Sequence, residues 1–381
     1  MIFRSLLLSA ALISMSSAAS AKVGDSQTIT GTDNIKLTAT HLETFDKPWA
    51  MAFLPDGRSL VTEKEGSIWL LSQEGKKLGE VTGGPSVMAR GQGGLGDIYV
   101  PADFDKTGEV LLSYVERDAK DNSLSGAVVQ RATLTLTPTG GALSESKRLW
   151  EQSPKVLGNG HYGHRIGVSP DNYLFISSGE RQKFTPAQNM AMNLGKIIRL
   201  NRDGSIPEDN PFFAAGGVTA QVWSLGHRNP LGLDFDAEGQ LWEIEMGPKG
   251  GDEMNKIVRS ENYGYPVVSN GDHYSGVEIP DHDTIPIYEA PEVFWNPVIS
   301  PSSLSIYKGS LFSNWKGDGF IGGLSSKALI RVDMDAEDGL KEAGRYEWGK
   351  RIREVESGPD GAIYVLEDEE GGRLMKLTPS N

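Results

Sequence analysis

The residues with the most evident chemistry follow the end of a predicted strand near position 225. The run VWSL alternates apolar and polar residues and stops at a glycine, which is typical of a half-buried strand that ends in a turn. His227, Arg228, Asn229 and Pro230 come next. An arginine guanidinium is a rigid fork that suits a carboxylate or phosphate, so the segment predicts a site for an anionic ligand. The alternative is a turn whose polar groups only satisfy the backbone.

A second predicted strand, Gly239 to Glu245, leads to groups that suit a hard cation. The backbone carbonyls of Gly247 and Pro248 follow its end, and the carboxylates of Asp252 and Glu253 come shortly afterwards. Ca²⁺ binds carbonyl and carboxylate oxygens at roughly 2.3 to 2.6 Å. The two strand ends together predict an anion bound beside a hard cation.

A candidate proton acceptor, His161, lies in a glycine-flanked loop before a further predicted strand, with His164 and Arg165 close behind it. A neutral imidazole is the commonest general base near pH 7. The same strand ends in another polar turn, Ser178 to Arg181. We interpret His161 as a candidate base, and the alternative is a structural or solvated loop histidine.

Basic side chains recur near the C-terminal end of this acidic chain. Arg351 and Arg353 are two residues apart, so in a strand both face the same side. Two like charges on one face become favourable around a polyanionic ligand. Lys327 occupies another short loop. Each residue alone could belong to a solvated strand edge, but together they predict cationic contacts for a polyanion.

The elements that must position these residues are short strands separated by turns. Six units recur at intervals of about 50 to 65 residues, each with a turn, an inner strand, a loop and an outer strand. They span residues 54–72, 102–136, 169–204, 235–258, 307–335 and 358–378. Repeats built only of strands are typical of propeller blades. The sequence therefore predicts an all-β fold, a six-bladed β-propeller whose loops converge at one rim.

No linker or change of composition divides the chain. We predict one propeller domain over residues 22–381, in which the proline-rich segment Ile279 to Pro301 forms a long rim loop. The competing architectures are a pair of β-sandwiches and two separate barrels.

Residues 1–21 have the pattern of a cleavable secretory signal peptide. Arg4 is their only charge, Leu6 to Met15 are apolar, and Ala19 to Ala21 form a small-residue cleavage site. No later segment reaches about 18 apolar residues, so we expect no membrane insertion. We predict a periplasmic or secreted protein that begins at Lys22.

Composition excludes several partners. Without Arg4, 36 basic residues remain against 51 acidic ones, a net charge of −15. Such a surface repels nucleic acid. The chain has no cysteine, which excludes disulfides and thiolate metal sites. The oligomeric state stays open between a monomer and a homodimer.

Seven motifs together resemble the soluble aldose sugar dehydrogenases that depend on pyrroloquinoline quinone (PQQ), the family related to soluble quinoprotein glucose dehydrogenase. The resemblance extends from Thr38 to Thr378. The motifs are GQGGLGDIYV after Arg90, HYGHR at His161, NLGKIIRLNRDGSIPEDNPF from Asn193, WSLGHRNPLGLDF from Trp223, GPKGGDEMN from Gly247, ENYGYP from Glu261 and KRIREVESGPDGAIYVL from Lys350.

The resemblance implies a PQQ- and Ca²⁺-dependent oxidoreductase that oxidises aldose sugars at C1 to the lactone. His161 matches the family's catalytic base, with hydride transfer to Ca²⁺-bound PQQ above the channel mouth. Arg228 matches a second catalytic residue of the family. Both Arg228 and Asn229 match residues that lie near the quinone carbonyls. The remaining cofactor contacts match Gln92, Lys327, Arg351 and Arg353.

The resemblance also implies metal ligands. The carbonyls of Gly247 and Pro248 match ligands of the Ca²⁺ that touches PQQ, whereas Glu253 and Tyr263 match a separate structural Ca²⁺ site. The partners it implies are an aldose substrate and an electron acceptor that the sequence does not identify.

Three positions depart from the family pattern: Met246 replaces a His or Gln before the Gly-Pro pair, Glu180 replaces an Asp, and His164 replaces a small residue. These departures bear on sugar preference and turnover. Two other functions are open alternatives. One is a non-catalytic propeller that binds carbohydrate or a protein, which the joint presence of the base and the cations opposes. The other is a Ca²⁺-dependent lactonase, which would need acidic metal ligands in the central channel.

Overall fold

The protein is described by a computed structural model that covers residues 22–380. The predicted signal peptide, residues 1–21, lies outside the described residues. No helix within 22–380 is long and apolar enough to cross a membrane.

Short antiparallel strands with alternating buried positions make up almost all regular structure of the described chain. Two N-terminal strands come first, β1 (Ser26–Thr30) and β2 (Lys36–Asp46). Blade 1 contains β3 (Pro48–Phe53), β4 (Ser59–Glu63), β5 (Ile68–Leu71) and β6 (Lys77–Thr82). Blade 2 contains β7 (Leu95–Tyr99), β8 (Glu109–Arg117), β9 (Ser125–Thr137) and β10 (Gly140–Glu151), with the helical turn α1 (Phe104–Thr107).

Blades 3 and 4 carry most of the sequence-predicted site. Blade 3 contains β11 (Gly163–Val168), β12 (Tyr173–Ser178), β13 (Lys196–Asn201) and β14 (Val222–Leu225). The first three strands of blade 4 are β15 (Pro230–Phe235), β16 (Leu241–Glu245) and β18 (Asp252–Lys256). Two short strands, β17 (Lys249–Gly250) before β18 and β19 (Gly271–Asp272) after it, pair with each other in a separate small sheet. Its outermost strand is β20 (Val293–Trp295).

Two blades complete the circle. Blade 5 contains β21 (Pro301–Ile306), β22 (Gly319–Gly323), β23 (Ala328–Asp333) and β24 (Lys341–Glu347). Blade 6 contains β25 (Ile352–Ser357), β26 (Ile363–Glu367) and β27 (Glu370–Pro379). Five 3₁₀ turns lie in loops of the described chain, at Thr185–Gln188, Phe213–Ala215, Thr219–Gln221, His282–Thr284 and Ser313–Trp315.

The six blades form a closed ring around a channel. The innermost strands β3, β7, β11, β15, β21 and β25 contact one another in that order, and β25 contacts β3. The ring closes through the N-terminal strand β2, which pairs antiparallel with β27 as the fourth strand of blade 6, and β1 adds a fifth. The predicted all-β six-bladed propeller is confirmed.

Two details of the prediction were wrong. The six predicted units contain the second and third strands of the blades, because the innermost strand precedes each turn. These innermost strands carry polar residues and glycine toward the channel, as in GHRIGV of β11, which hides their strand pattern. The predicted rim loop Ile279 to Pro301 contains β20, so part of it is the outer edge of blade 4.

Apolar side chains between blades hold the ring together. Ile244 and Met254 of blade 4, for example, lie in one buried cluster with Ile321 and Ile330 of blade 5. Each such side chain contributes about 1.5–3 kcal/mol when it is buried.

Every innermost strand has a register irregularity near its start, where it pairs with the second strand of its blade. A β-bulge re-aims the side chains next to it. Four residues at these irregularities, one each from β3, β11, β15 and β25, line a cavity at the channel mouth: Trp49, His164, Leu231 and Arg353. The bulges thus place side chains at the mouth that a regular strand would point elsewhere.

Candidate active site

His161 is held at the start of blade 3 by a carboxylate. It is buried, and its Nδ1 lies 2.5 Å from Oε1 of the fully buried Glu180, which follows β12. The His161 carbonyl passes so close to Gly179 that a Cβ there would lie 2.2 Å from it. Only glycine therefore lets the two loops approach. The amide of His161 donates to Oε1 of Gln92 at 2.6 Å, which connects blades 2 and 3.

Glu180 is an acceptor for several donors at once. Its oxygens accept hydrogen bonds from the backbone of Gln182 at 2.9 Å, of Phe184 at 2.6 Å and of Lys183. Burial alone would raise the pKa of Glu180, but the hydrogen bonds from His161 and from these amides hold it below its usual value. An ionised carboxylate only accepts, so Nδ1 of His161 carries the proton and Nε2 keeps a lone pair.

Burial lowers the pKa of His161, and the positive charge of Arg228 lowers it further, while the hydrogen bond to Glu180 acts in the opposite direction. The imidazole is therefore neutral near pH 7, as a proton acceptor must be. His164 is different. Burial lowers the pKa of its imidazole to about 3, Nδ1 is 2.8 Å from Ser113 Oγ, and the ring stacks on Trp49. His164 is thus a neutral structural residue of the cavity wall.

Arg228 and Asn229 are positioned by Glu245 at the end of β16. Its Oε2 accepts from the amides of Arg228 at 2.5 Å and Asn229 at 3.0 Å. The guanidinium Nη1 donates to the carbonyls of Met246 at 2.8 Å and Gly247 at 2.5 Å. Arg228 Nε and Asn229 Nδ2 are buried and have no partner among the described residues, so both are donors that a ligand could satisfy.

A cavity of about 560 Å³ at the channel mouth brings several predicted residues together. Gln92, Asn229, Arg351 and Arg353 line it, and its size is within the range of small-molecule sites, roughly 300–1,000 Å³. Nε of Arg351 and Nε of Arg353 donate to the two oxygens of one carboxylate, Asp368, at 2.8 and 3.0 Å. The two arginines do face one side.

Two lysines in the cavity wall were missed by sequence reasoning. Lys64 donates to the Gly91 carbonyl at 2.5 Å, and burial together with the charge of Arg353 lowers the pKa of its ammonium. Lys47 pairs with Glu65 at 3.2 Å. Asp368, Glu369 and Glu370 also line this cavity. No local pattern indicated Lys64 or Asp368, since they reach the mouth from blades 1 and 6.

Lys327 is not among the cavity-lining residues. It is exposed in the turn before β23, and its carbonyl accepts from the amides of Trp348 and Gly349. Leu324, three positions earlier, does line the cavity. Lys327 therefore lies at the rim of blade 5, outside the group that contains Arg351 and Arg353.

The predicted metal ligands lie in blade 4. Gly247 and Pro248 are buried beyond the end of β16, and the Gly247 amide donates to Asp252 at 2.8 Å. The Gly247 carbonyl already accepts from Arg228, so a cation would use its second lone pair. Burial raises the pKa of Asp252 to about 6.

Glu253 belongs to a buried acidic group that sequence reasoning largely missed. Glu243 and Glu245 on β16 face Asn255 and Glu253 on β18, and ligand atoms of His227, Glu243 and Glu245 lie within 4.8 Å of one another. Burial and the charge of Glu245 raise the pKa of Glu243 and of Glu253 well above the usual value. The alternation of Glu243 with Glu245 and of Glu253 with Asn255 could have revealed this face.

Several polar atoms of this group have no partner among the described residues: Glu243 Oε1, Asn255 Oδ1 and His282 Nδ1. The carbonyl of Tyr263, the other predicted ligand, is 3.1 Å from His282 Nε2, and His282 Nδ1 is 3.9 Å from Glu253 Oε1. Unpartnered buried oxygens beside crowded carboxylates are the donor set that suits Ca²⁺.

Comparison with known proteins agrees with this geometry. The sequence profile of the family described as Glucose / Sorbosone dehydrogenase matches residues 45–376. The aldose sugar dehydrogenase YliI of Escherichia coli K12 is 36% identical over 342 residues, which cover 88% of this chain and 91% of that protein.

Solved structures are similar over almost the whole chain. The apo form of the soluble aldose sugar dehydrogenase from Escherichia coli has a TM-score of 0.85 at 35% identity and covers 90% of this chain and 100% of that one. The PQQ-bound aldose sugar dehydrogenase of Streptomyces coelicolor has a TM-score of 0.71 at 25% identity, with 91% and 99% covered. The chain therefore belongs to the glucose/sorbosone dehydrogenase family of oxidoreductases.

Proposed function

We propose that the protein is a PQQ- and Ca²⁺-dependent aldose dehydrogenase that oxidises the sugar at C1 to the lactone, with His161 as the general base. The observation that carries the proposal is the His161–Glu180 pair, which does not itself line the cavity but whose neighbours Tyr162 and Gly163 do, together with Arg351 and Arg353. A base alone would suit many reactions. A base next to a cationic cavity, in a chain of this family, suits proton removal near an anionic cofactor.

The chain's own groups account for the proton transfer. Glu180 fixes the imidazole with Nδ1 protonated, so that Nε2 is free to take the proton of the anomeric hydroxyl. Such a base contributes about 10²- to 10⁴-fold to the rate. Burial lowers the pKa of His161, and the positive charge of Arg228 lowers it further, so the imidazole stays neutral.

The cavity fits a polyanionic quinone. Arg351 and Arg353 supply forked donors, and Lys64 supplies a further charge. Asn229 Nδ2 and Arg228 Nε are buried donors with no partner within residues 22–380, and a carbonyl of the ligand would satisfy them. When bound, PQQ supplies the two-electron oxidant for the hydride from C1, and Ca²⁺ supplies Lewis-acid polarisation. Gln92 would contact the cofactor from blade 2, and Lys327 from the rim of blade 5.

Calcium would be held in two places in this proposal. The carbonyls of Gly247 and Pro248 would bind the ion next to the cofactor, and Glu253 with the Tyr263 carbonyl would bind a structural ion, assisted by Glu243 and Glu245. Oε1 of Glu243 and Oδ1 of Asn255, which have no hydrogen-bond partner in the part of the chain that the structure describes, support the second site. The segment 1–21 supports export to the periplasm or the medium.

The direct test is reconstitution of the purified protein with PQQ and Ca²⁺, followed by reduction of an artificial dye with glucose and other aldoses. We expect sugar-dependent dye reduction that needs both additions. Absence of dye reduction with every aldose, in a preparation whose absorbance shows bound PQQ, would contradict the proposal.

A further inference from the structure

Aromatic side chains from blades 3 and 4 form a wall beside His161 and Arg228. Phe184 follows β12 and is 46% exposed, and Tyr274 follows β19 and is 75% exposed. Between them lie Tyr265, which is only 5% exposed, and His273. A contiguous patch of exposed apolar surface marks a ligand or interaction site, and the mechanism described above does not use these four side chains.

Phe184 contacts two of the other rings, and Tyr265 and Tyr274 lie near Arg228. The centroid of the Phe184 ring is 5.4 Å from that of His273, edge to face, and 6.5 Å from that of Tyr265. The guanidinium of Arg228 lies 5.8 Å from the Tyr265 ring and 6.0 Å from the Tyr274 ring. The wall therefore adjoins Arg228 and extends outward from it.

Phe184 is coupled to the base through its own backbone. Its φ of 64° lies in the left-handed region, which is unfavourable for a bulky residue. Its amide donates to Oε2 of Glu180, whose other oxygen contacts His161. The carboxylate that contacts His161 thus also holds the backbone of Phe184, and strained backbone held in this way is common at ligand sites.

Tyr265 offers a polar group at the inner end of the wall. Its hydroxyl is buried and has no partner within the described residues. A buried hydroxyl without a partner is costly unless a ligand supplies one. An apolar face next to such a donor is the combination that a pyranose ring needs, since it presents C–H groups on its faces and hydroxyls at its edge.

We propose that Phe184, Tyr265 and Tyr274 form the sugar-binding wall. Phe184 packs against the C–H face of the reducing-end ring, the hydroxyl of Tyr265 bonds one of its hydroxyls, and Tyr274 contacts the next glycosyl unit of a disaccharide. The exposed fraction of the side chain increases from Tyr265 to Phe184 to Tyr274, which supports placing Tyr274 at the outer end of the wall, against the second sugar unit. The inference rests on the proposed function, because it takes His161 as the place where C1 reacts.

The test uses the full-length PQQ-loaded protein and four variants. We expect Phe184→Ala to raise the KM for glucose and for maltose about three- to tenfold, whereas Phe184→Tyr keeps it near wild type. Tyr265→Phe should raise KM and leave the PQQ titration unchanged. Tyr274→Ala should raise the KM for maltose more than that for glucose. The control is Phe294→Ala, since Phe294 is 52% exposed on the outermost strand of blade 4.

A second readout separates this inference from the catalytic proposal. Saturation-transfer NMR with 1,5-anhydroglucitol, which has no hydroxyl at C1, reports sugar contact without turnover. Loss of the signal in Phe184→Ala supports the wall even if no aldose is oxidised. An unchanged signal and unchanged KM in Phe184→Ala and Tyr274→Ala, in a protein that does oxidise glucose, would overturn it and leave the proposed function intact.

Discussion

At the scale of single residues, the carboxylate of Glu180 sets the orientation and the pKa of the His161 imidazole. Glu180 reaches His161 Nδ1 at 2.5 Å and also accepts hydrogen bonds from the amides of the following turn. Glu180 therefore orients the imidazole of His161 and also holds the loop after β12.

Replacement of Glu180 tests this tuning. The carboxylate raises the pKa of His161 against the effect of burial, so Glu180→Gln should lower that pKa further. We expect the acid limb of the kcat/KM profile to move to lower pH, and the plateau to fall about 10- to 100-fold because a weaker base removes the proton more slowly. Glu180→Asp keeps the charge and should restore the acid limb. A pH profile of kcat/KM for Glu180→Gln that coincides with that of the wild type would contradict the proposal that Glu180 raises the pKa of the catalytic imidazole.

Arg353 tests the cationic cavity. A hydrogen bond to a charged group is worth about 1.5–3 kcal/mol, so Arg353→Gln should weaken PQQ binding roughly 10- to 100-fold. Arg148→Gln is a matched control, because Arg148 is exposed on β10, the outermost strand of blade 2. Titration of each variant with PQQ, followed by absorbance, measures its affinity for the cofactor. Equal affinity in the two variants would remove Arg353 from the cofactor site.

Residue types and motifs were enough to predict several neighbours at this scale. Gln92, Asn229, Arg351 and Arg353 line one cavity, and their roles stay predictions. Lys64, Asp368 and Tyr265 could not be found in this way, because each reaches the site from a different blade and nothing local distinguishes it from other lysines, aspartates and tyrosines.

At the scale of elements, bulges and loops determine which side chains face the cavity. The strand and turn pattern predicted the two middle strands of every blade. It did not reveal the innermost strands, whose polar residues and irregular register place Trp49, His164 and Arg353 at the mouth. A register shift depends on pairing between strands, so a single strand's sequence does not show it.

The loop that carries Phe184 continues into a 3₁₀ turn held by a buried lysine. The ammonium of Lys196 on β13 donates to the carbonyls of Pro186, Ala187 and Leu194 at 2.8 to 2.9 Å. Lys196→Met would remove one hydrogen bond from each of the three carbonyls, although Pro186 and Ala187 would still accept from the amides of Asn189 and Gly226. We expect a loss of about 3 kcal/mol of stability, seen as a lower Tm in thermal unfolding.

The control for Lys196 is Lys308→Met. Lys308 is a mostly exposed lysine that pairs with Asp234 at the surface, and such pairs contribute about 0–1 kcal/mol. A Tm for Lys196→Met as close to wild type as that of Lys308→Met would show that the three hydrogen bonds do not hold the loop.

At the scale of the whole molecule, acids with raised pKa values lie on the innermost strand of blade 6 and on the second and third strands of blade 4. Burial raises the pKa of Glu354 to about 8 and of Asp252 to about 6, and raises those of Glu243, Glu253 and Glu356 well above the usual value. The pKa of each of these acids is higher in the folded than in the unfolded protein. The contribution of each acid to the free energy of unfolding is therefore fully present below its unfolded-state pKa and is lost as the pH rises through its folded-state pKa.

This linkage predicts how Ca²⁺ and pH act together. Without Ca²⁺, Tm should fall between about pH 5 and pH 8. Ca²⁺ needs ionised carboxylates, so it should raise Tm more at pH 8 than at pH 6, and Glu243→Gln should reduce that shift. Mg²⁺ serves as the control cation, since it demands tighter octahedral geometry. Equal shifts at both pH values, or the same shift with Mg²⁺, would contradict a Ca²⁺ site among these acids.

The number of blades could be predicted from the sequence because each blade repeats one turn and two regular strands. The closure of the ring could not, since β2 pairs with β27 from the opposite end of the chain. The acidic group around Glu243 was missed for a similar reason, because its members face one another only after β16 and β18 pair.

The central claim is that His161 removes the sugar proton while the cationic cavity holds the oxidant. Stopped-flow absorbance of PQQ-loaded protein mixed with glucose, without any electron acceptor, tests it in a single turnover. We predict that the wild type reduces its bound cofactor and that His161→Ala, with PQQ bound equally well, does so about 10²- to 10⁴-fold more slowly. Reduction at the same rate in both proteins would contradict the claim.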